Sequence, residues 1–434
     1  MIRLTEMLRI LYLSLAALQI AFGQKGLDDP AFDKVPFDQW LNGGDDSHIR
    51  CSLLISPERL TPQQRMGVRI SARIDGTEFV KRSRPGEVVV FLEIRDRDGR
   101  VFQTHRDMTL PEMKNVSDLA YASFDQSAFV SPGEYEVAAA VYDTESKEHS
   151  LKRSKLRIRG PAHDPLPESW QTVPAVEFVG QGEPPDSWYL PEITSRLNLP
   201  VHTAQPVRIE VIVNESPTEI AASRVGRTMR RNMSNLIPAL KVISQMDIRN
   251  GSLNVTMLDL ERRKASFTQD HVGILNWFKL RDALAENDPN QIDVHALENH
   301  EQNAQFFVSE IKKRLERDSG TARVLIVLSG PMAFSKGQDL TPIEAAPEPG
   351  TRVFYVRFYP PPMGGQAGSV PDGMRPRGRV PPPPNVLSPA RGATTEDSLA
   401  RTLKPLSPKV LDVSNPLEFR TALAAIITGI SQGK

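Results

Sequence analysis

Cysteine is almost missing from this chain. Cys51 is the only one in 434 residues, so no intrachain disulfide can form and core packing alone must hold the fold. A lone Cys at the start of a strand reads as a small buried hydrophobe. Net charge is missing too. Lys plus Arg and Asp plus Glu each total 53, so bulk charge points to neither nucleic acid nor an anionic membrane as a partner. The apolar run Ile10–Phe22 stops short of the ~20 residues that span a bilayer, so no stable membrane span is expected. Neither a Gly-x-x-x-x-Gly-Lys phosphate loop nor a Gly-x-Ser-x-Gly nucleophile turn is expected in the chain. His295 and His300 invite a zinc reading. However, five residues on a helix separate them by about 140°, whereas zinc helices place their His residues four apart. The cluster Arg224, Arg227, Arg230 and Arg231 reads as a solvated helix face, with anion binding as its alternative.

What is present divides into segments. Arg3 and Arg9 precede the run Ile10–Phe22, and Ala21-Phe22-Gly23 supplies small residues before a cut, which predicts a signal peptide over 1–23. The protein is then secreted, or periplasmic in a bacterial cell envelope. Residues 24–47, rich in Asp, Gly and Pro, predict a flexible leader. Between 48 and 160 the pattern is one of short strands: Cys51–Ile55, Gly67–Ile74, Val88–Arg95, Val101–Met108, Ala120–Phe124, Tyr135–Tyr142 and Lys155–Ile158. Pro, Gly or charged turns bound each of them, which predicts an antiparallel sandwich. Residues 161–206 are so dense in Pro that a semi-rigid extended linker is expected.

From 207 to 433 buried strands alternate with amphipathic helices. The strands are Val207–Val213, Leu253–Leu260, Ala265–Phe267, Val324–Leu328, Val353–Phe358 and Lys409–Val413. Helices are expected from Val225 to Ile243, around 272–285 and 304–315, and after Asn415. There Asn415 is the N-cap, Pro416 the first helical residue and Glu418 the partner in a capping box. The alternation implies an α/β, doubly wound, mostly parallel sheet. A Pro-, Gly- and Arg-rich insertion, 359–392, follows the strand ending at Phe358. It is expected on the strands' carboxyl side as a spacer, a lid or a basic Pro-rich ligand.

Two resemblances sharpen this reading. Ser131-Pro132-Gly133-Glu134-Tyr135, followed by Val137, Ala139 and Val141, resembles the turn and penultimate strand of an immunoglobulin- or fibronectin-like domain. The strand entering Asn214-Glu215-Ser216-Pro217-Thr218, the segment Arg323–Gly330 and the ending Val410–Pro416 together resemble a von Willebrand factor A-like domain. The pairing with a signal peptide is similar to the exported bacterial "VWFA-related" proteins of acidobacterial type. In that family a cation is held by Asp-x-Ser-x-Ser, a second-loop Thr and a third-loop Asp. Here the equivalent positions are Asn214, Ser216 and Thr218, then Thr268, and then Ser329 and Gly330, with no carboxylate at either acidic position. A hard cation such as Mg²⁺ relies on one or two carboxylates, so the site reads as degenerate, with no metal and no cofactor.

The reading is therefore an exported, non-enzymatic protein of the adhesion or protein–protein interaction type. Its unknown protein partner is expected at the carboxyl edge of the parallel strands. The rivals are a metal-dependent adhesin rescued by Glu215, Glu219 or a distant carboxylate, and an envelope enzyme or accessory factor, which a Ser, His and carboxylate gathered in one pocket would favour.

Overall fold

The computed structural model describes residues 28–43, 48–81, 87–109, 121–179, 195–216, 225–286, 301–315, 321–332, 343, 350–359 and 397–432. The described part is β-rich, with four sheets that are partly antiparallel. It divides into two compact units. One holds Met1–Thr61, Arg65–Pro185 and Thr194–Leu197; the other holds Pro62–Gln64, Asp186–Ile193 and Asn198–Lys434.

The first unit contains β1 (Cys51–Ile55), β2 (Arg59–Leu60), β3 (Met66–Asp75), β4 (Glu87–Asp96), β5 (Val101–Thr109), β6 (Tyr121–Val130), β7 (Gly133–Asp143), β8 (His149–Ile158) and β9 (Val176–Phe178). They form two antiparallel sheets, β1-β3-β6-β9 with β2 beside β3, and β5-β4-β7-β8. Period-two alternation sends Val68 and Ile70 of β3, Leu92 and Ile94 of β4, and Val137 and Ala139 of β7 into one shared core. Tyr135 closes the β6–β7 corner by donating its hydroxyl to the Ser131 carbonyl at 2.9 Å.

The leader expectation is corrected over its described part. Phe32–Lys34 form a 3₁₀ turn and Phe37–Gly43 form α1. Phe32, Phe37 and Trp40 cover the outer face of the four-stranded sheet at Val89, Phe91, Ala138, Ala140 and Leu151. Trp40 stacks on His149, with ring centroids 4.3 Å apart, and Asp29 Oδ2 lies 2.5 Å from His105 Nδ1. This explains why β4 is buried on both faces.

The Pro-rich stretch is also more than an extended connector. Pro167–Trp170 form a 3₁₀ turn and β9 pairs with β6. Arg65, fully buried, clasps this stretch by donating to Pro174 O at 2.7 Å, Arg196 O at 2.8 Å and Glu177 Oε2 at 2.9 Å. Burial lowers the Arg65 pKa, and the Glu177 carboxylate opposes that shift.

The second unit contains β10 (Leu199–Val201), β11 (Val207–Asn214), β12 (Met246–Ile248), β13 (Gly251–Asp259), β14 (Lys264–Gln269), β15 (Ala322–Ser329), β16 (Arg352–Phe358) and β17 (Lys409–Val413). Its larger sheet runs β14-β13-β11-β15-β16-β17. All neighbours are parallel except β14, which lies antiparallel at the edge. β10 and β12 form a small parallel pair. The helices are α2 (Gly76–Lys81) in the first unit, then α3 (Val225–Ile243), α4 (Trp277–Glu286), α5 (Glu301–Leu315), α6 (Ser398–Leu403) and α7 (Pro416–Ser431) in the second. Phe307 and Ile311 of α5, with Leu399 and Leu403 of α6, pack on Ile212, Leu325, Val353 and Tyr355. The next residue along β16, Phe354, points the other way and meets α7. There Gly429 is required by the close approach, since a Cβ would fall 2.6 Å from the Phe354 ring.

Candidate functional site

β11 is buried along nearly its whole length and delivers three buried polar residues at its carboxyl end, Asn214, Glu215 and Ser216. The Asn214 carboxamide, the Ser216 N–H and hydroxyl and the Glu215 N–H are all engaged. Asn214 Oδ1 accepts from Ser216 N at 3.1 Å, the Asx turn that favours Asn here. A backbone N–H can only donate, so the carboxamide orientation is fixed and its Nδ2 must face Ser329. Nδ2 donates to Ser329 Oγ at 2.9 Å, and the Ser329 hydroxyl donates onward to Gly330 O at 2.7 Å. Met332 Sδ lies 3.6 Å from the same amide nitrogen. Ser216 Oγ accepts from Leu260 N at 2.7 Å, and Glu215 N donates to Leu258 O at 3.0 Å.

The structure thus brings Asn214, Ser216, Ser329 and Gly330 together. It does not bring Thr268 to them. That residue is exposed on β14 opposite Thr256, which in turn faces Ile212, two positions before Asn214. Thr218, Glu219, His295, His300 and the insertion beyond Tyr359 lie outside the described residues, as do the side chains of the Arg224–Arg231 cluster.

One carboxylate near Gly330 was not foreseen. Asp397 caps α6, its Oδ1 accepting from Ala400 N at 3.3 Å and Met332 N at 3.4 Å. Tyr355 Oη lies between the two loops, 3.3 Å from Gly330 O and 3.4 Å from Asp397 Oδ1. The other carboxylate oxygen, Oδ2, is taken by Arg357 Nη1 at 3.0 Å, while Arg357 Nε bonds Asp412 Oδ1 at 2.7 Å. Burial pushes the Tyr355 phenol well above its ordinary range, and the Asp397 charge adds to that. Burial works against the Arg357 charge, but the hydrogen bonds from Asp412 and Asp397 outweigh it and raise its pKa. Asp397 is therefore engaged by a cation already present in the chain. Among the described residues, no group of three His, Cys, Asp or Glu side chains is placed to hold a metal.

A second feature lies at the opposite end of the same sheet. A cleft of about 460 Å³ opens beside the start of β13. Met246 and Leu253 are buried beneath it, and Asp247, Ser252 and His271 stand on its walls. The wall loop is pinned by His271 N to Asn254 Oδ1 at 2.8 Å and by Val272 N to Leu253 O at 2.7 Å. Gln269 clips it further, donating to Ile274 O at 2.9 Å and accepting from Asn276 N at 2.8 Å. Ser, His and carboxylate thus share one cleft, but among the described residues no hydrogen bond joins the imidazole to a hydroxyl or to Asp247. The Ser244 hydroxyl donates to Lys241 O instead.

A Gly-x-Ser-x-Gly pattern does exist, contrary to the sequence reading, at Gly429-Ile430-Ser431-Gln432-Gly433. Ser431 is the last residue of α7 and does not sit on a strand-to-helix turn, so the nucleophile geometry is not built. No described helix is long and apolar enough to cross a membrane.

No family model matches the chain, and no curated protein matches it. Among solved structures, a glycosyl hydrolase family 2 member from Bacteroides cellulosilyticus DSM 14838 aligns over 67% of this chain and 36% of its own, at 9% identity and a TM-score of 0.18. A second structure of a family 2 member from Bacteroides cellulosilyticus covers 64% of this chain and 34% of its own, at 9% identity and 0.18. A Northeast Structural Genomics Consortium target covers 27% of this chain and 92% of its own, at 13% identity and 0.15. The chain spans about a third of the length of the hydrolases it matches. Likeness at these TM-scores carries nothing about fold or chemistry.

Proposed function

We propose that the chain is an exported, non-enzymatic protein-binding protein, whose second unit is a doubly wound, von Willebrand factor A-like domain working without a metal. The carrying observation is the Asn214 carboxamide. Its oxygen is committed to Ser216 N and its nitrogen points at Ser329 Oγ, so the atom facing the would-be cation is a hydrogen-bond donor with no lone pair to give. The sheet order, with β11 central and β14 antiparallel at the edge, supports the domain reading. Export rests on the Ile10–Phe22 segment. The partner is assigned to the carboxyl edge of the parallel strands, where Asp412 is exposed beside Arg357.

A hydrolase reading draws on Ser252, His271 and Asp247 lining one cleft, but acyl transfer needs a Ser–His hydrogen bond that is not made there.

Melting of the full chain with Mg²⁺, Mn²⁺ or EDTA tests the metal-free reading. A cation binding only the native state at a hundredfold above its Kd would add about 2.7 kcal/mol. The expected result is one melting temperature under all three conditions. A cation-dependent rise that disappears in Asn214→Ala would overturn the proposal. Partner capture from the source envelope fraction is expected to be undiminished by EDTA.

A further inference from the structure

We propose that the cleft beside β13 is a second recognition site, for a peptide segment that carries a Lys or Arg side chain next to a large apolar residue. It is separate from the carboxyl-edge surface and goes beyond that assignment. The charge of the ligand follows from the walls. Among the described residues, Asp247 is the only Asp, Glu, Lys or Arg that lines the cleft. It pairs with Arg249 at 3.9 Å, and the Asp247 and Arg249 side chains are 58% and 74% exposed. An ion pair that loose and solvated contributes little, so it leaves the carboxylate available to an incoming cation. α3 ends at Ile243, just before the wall residues Ser244 and Gln245. The negative end of its macrodipole therefore favours a cation on the same side.

The apolar half of the ligand follows from the segment that continues the cleft wall beyond Gly273. The clipped wall loop leads straight into Ile274 and Phe278, which are 74% and 73% exposed and four residues apart. Single exposed hydrophobics need no explanation, but here Ile274 stands on the loop held by Gln269 and Phe278 in the first turn of α4 just beyond it, two large apolar side chains open to solvent. Arg281 lies 5.6 Å from the Phe278 ring centroid and leaves most of that side chain in water. A volume of about 460 Å³ lies within the usual range for ligand clefts and holds one long side chain with part of its backbone. Buried Met246 and Leu253 suit the methylene stem of Lys or Arg, while the charged head reaches Asp247.

The test is a calorimetric titration of the full chain with the capped tripeptide Leu-Arg-Leu, alongside capped Leu-Glu-Leu and Gly-Arg-Gly. Saturable binding of Leu-Arg-Leu is expected, with Leu-Glu-Leu at least tenfold weaker. Asp247→Asn should weaken Leu-Arg-Leu about tenfold, and Phe278→Ser should bring it down to the level of Gly-Arg-Gly. Both substitutions are at exposed positions, so an unchanged melting temperature verifies folding. Equal binding of the Arg and Glu peptides, indifference to Asp247→Asn, or no binding of Leu-Arg-Leu at millimolar concentration would each overturn the proposal. Those results would leave the Asn214 reading standing, because that reading is decided by the cation dependence of melting.

Discussion

An amide where a carboxylate would bind a cation changes which atoms a buried loop can satisfy. At 1% exposure, Asn214 supplies one acceptor and one donor, and both are used without any ion. Asn214→Ala strips the partner from the Ser216 N–H, which sits in a residue only 2% exposed. Leaving such a group unpaired costs about 1–3 kcal/mol, so chemical denaturation of the second unit should show a loss of that order. Asn214→Asp should cost more in EDTA, because it places a negative charge where Ser329 offers a single hydroxyl and no cation compensates. Equal losses for the two variants would mean that water reaches the loop. The Asn214–Ser216 turn was legible from the chain, since Asn and Ser after a buried strand favour it. Asp397 was not recognised, although Asp followed by Ser398 and then by Leu399 and Leu403 is a legible N-cap signal. Its approach to Gly330 spans 67 residues of sequence and is set by tertiary packing alone.

Short elements behave differently from single residues, because composition and spacing can disagree over them. α1 spans Phe37–Gly43 in a stretch that Asp, Gly and Pro mark as leader, yet Phe37 and Trp40, three apart, face the sheet together. Trp40→Ala is expected to cost the first unit about 3–5 kcal/mol, the usual range for emptying an aromatic site. Urea unfolding is the measurement, and a loss below about 1 kcal/mol would mean that the segment is not part of the core. Seven residues are too few for helical periodicity to show, and the same applies to the three-residue β10 and β12. Several strands were read well: Cys51–Ile55 was placed on its observed bounds, and Val88–Arg95 falls one residue inside β4 at each end, whereas Ala120–Phe124 and Lys155–Ile158 catch only part of the ten-residue β6 and β8. The Asn415 cap is also as read, accepting from Leu417 N and Glu418 N, both at 3.0 Å. Its Glu418 partner reaches one residue further back than a capping box requires, taking Ser414 N at 2.7 Å. Periodicity and capping are local and survive in the text; docking partners do not.

At the scale of the molecule, a formal charge of zero leaves little net self-repulsion near neutral pH, so pH sensitivity has to come from particular buried groups. Among the described residues, each unit holds one well-buried phenol of this kind. Burial pushes Tyr135 from 10.0 up to about 12, and pushes Tyr355 well above 10.0. A phenol gains charge when it loses its proton, so the unfolded chain ionises first as pH rises. Below pH 10 both states hold the proton and the native advantage is complete. Between pH 10 and about 12 the unfolded state binds fewer protons and stability falls with pH. For Tyr135 the shift corresponds to about 2–3 kcal/mol by the upper end of that window. Lysines titrate in the same range, so the wild-type slope alone does not isolate the phenol. Tyr135→Phe does. It gives up the Ser131 hydrogen bond at every pH, about 1 kcal/mol, but removes the phenol's share of the alkaline slope. Urea unfolding of the first unit at pH 8, 10 and 11 should therefore show wild type and Tyr135→Phe converging as pH rises. Parallel lines would mean that the hydroxyl is solvated in the native state, and the closed Ser131–Tyr135 corner would then have to be abandoned. Tyr355→Phe should give the same convergence in the second unit, since its raised pKa has the same leading cause.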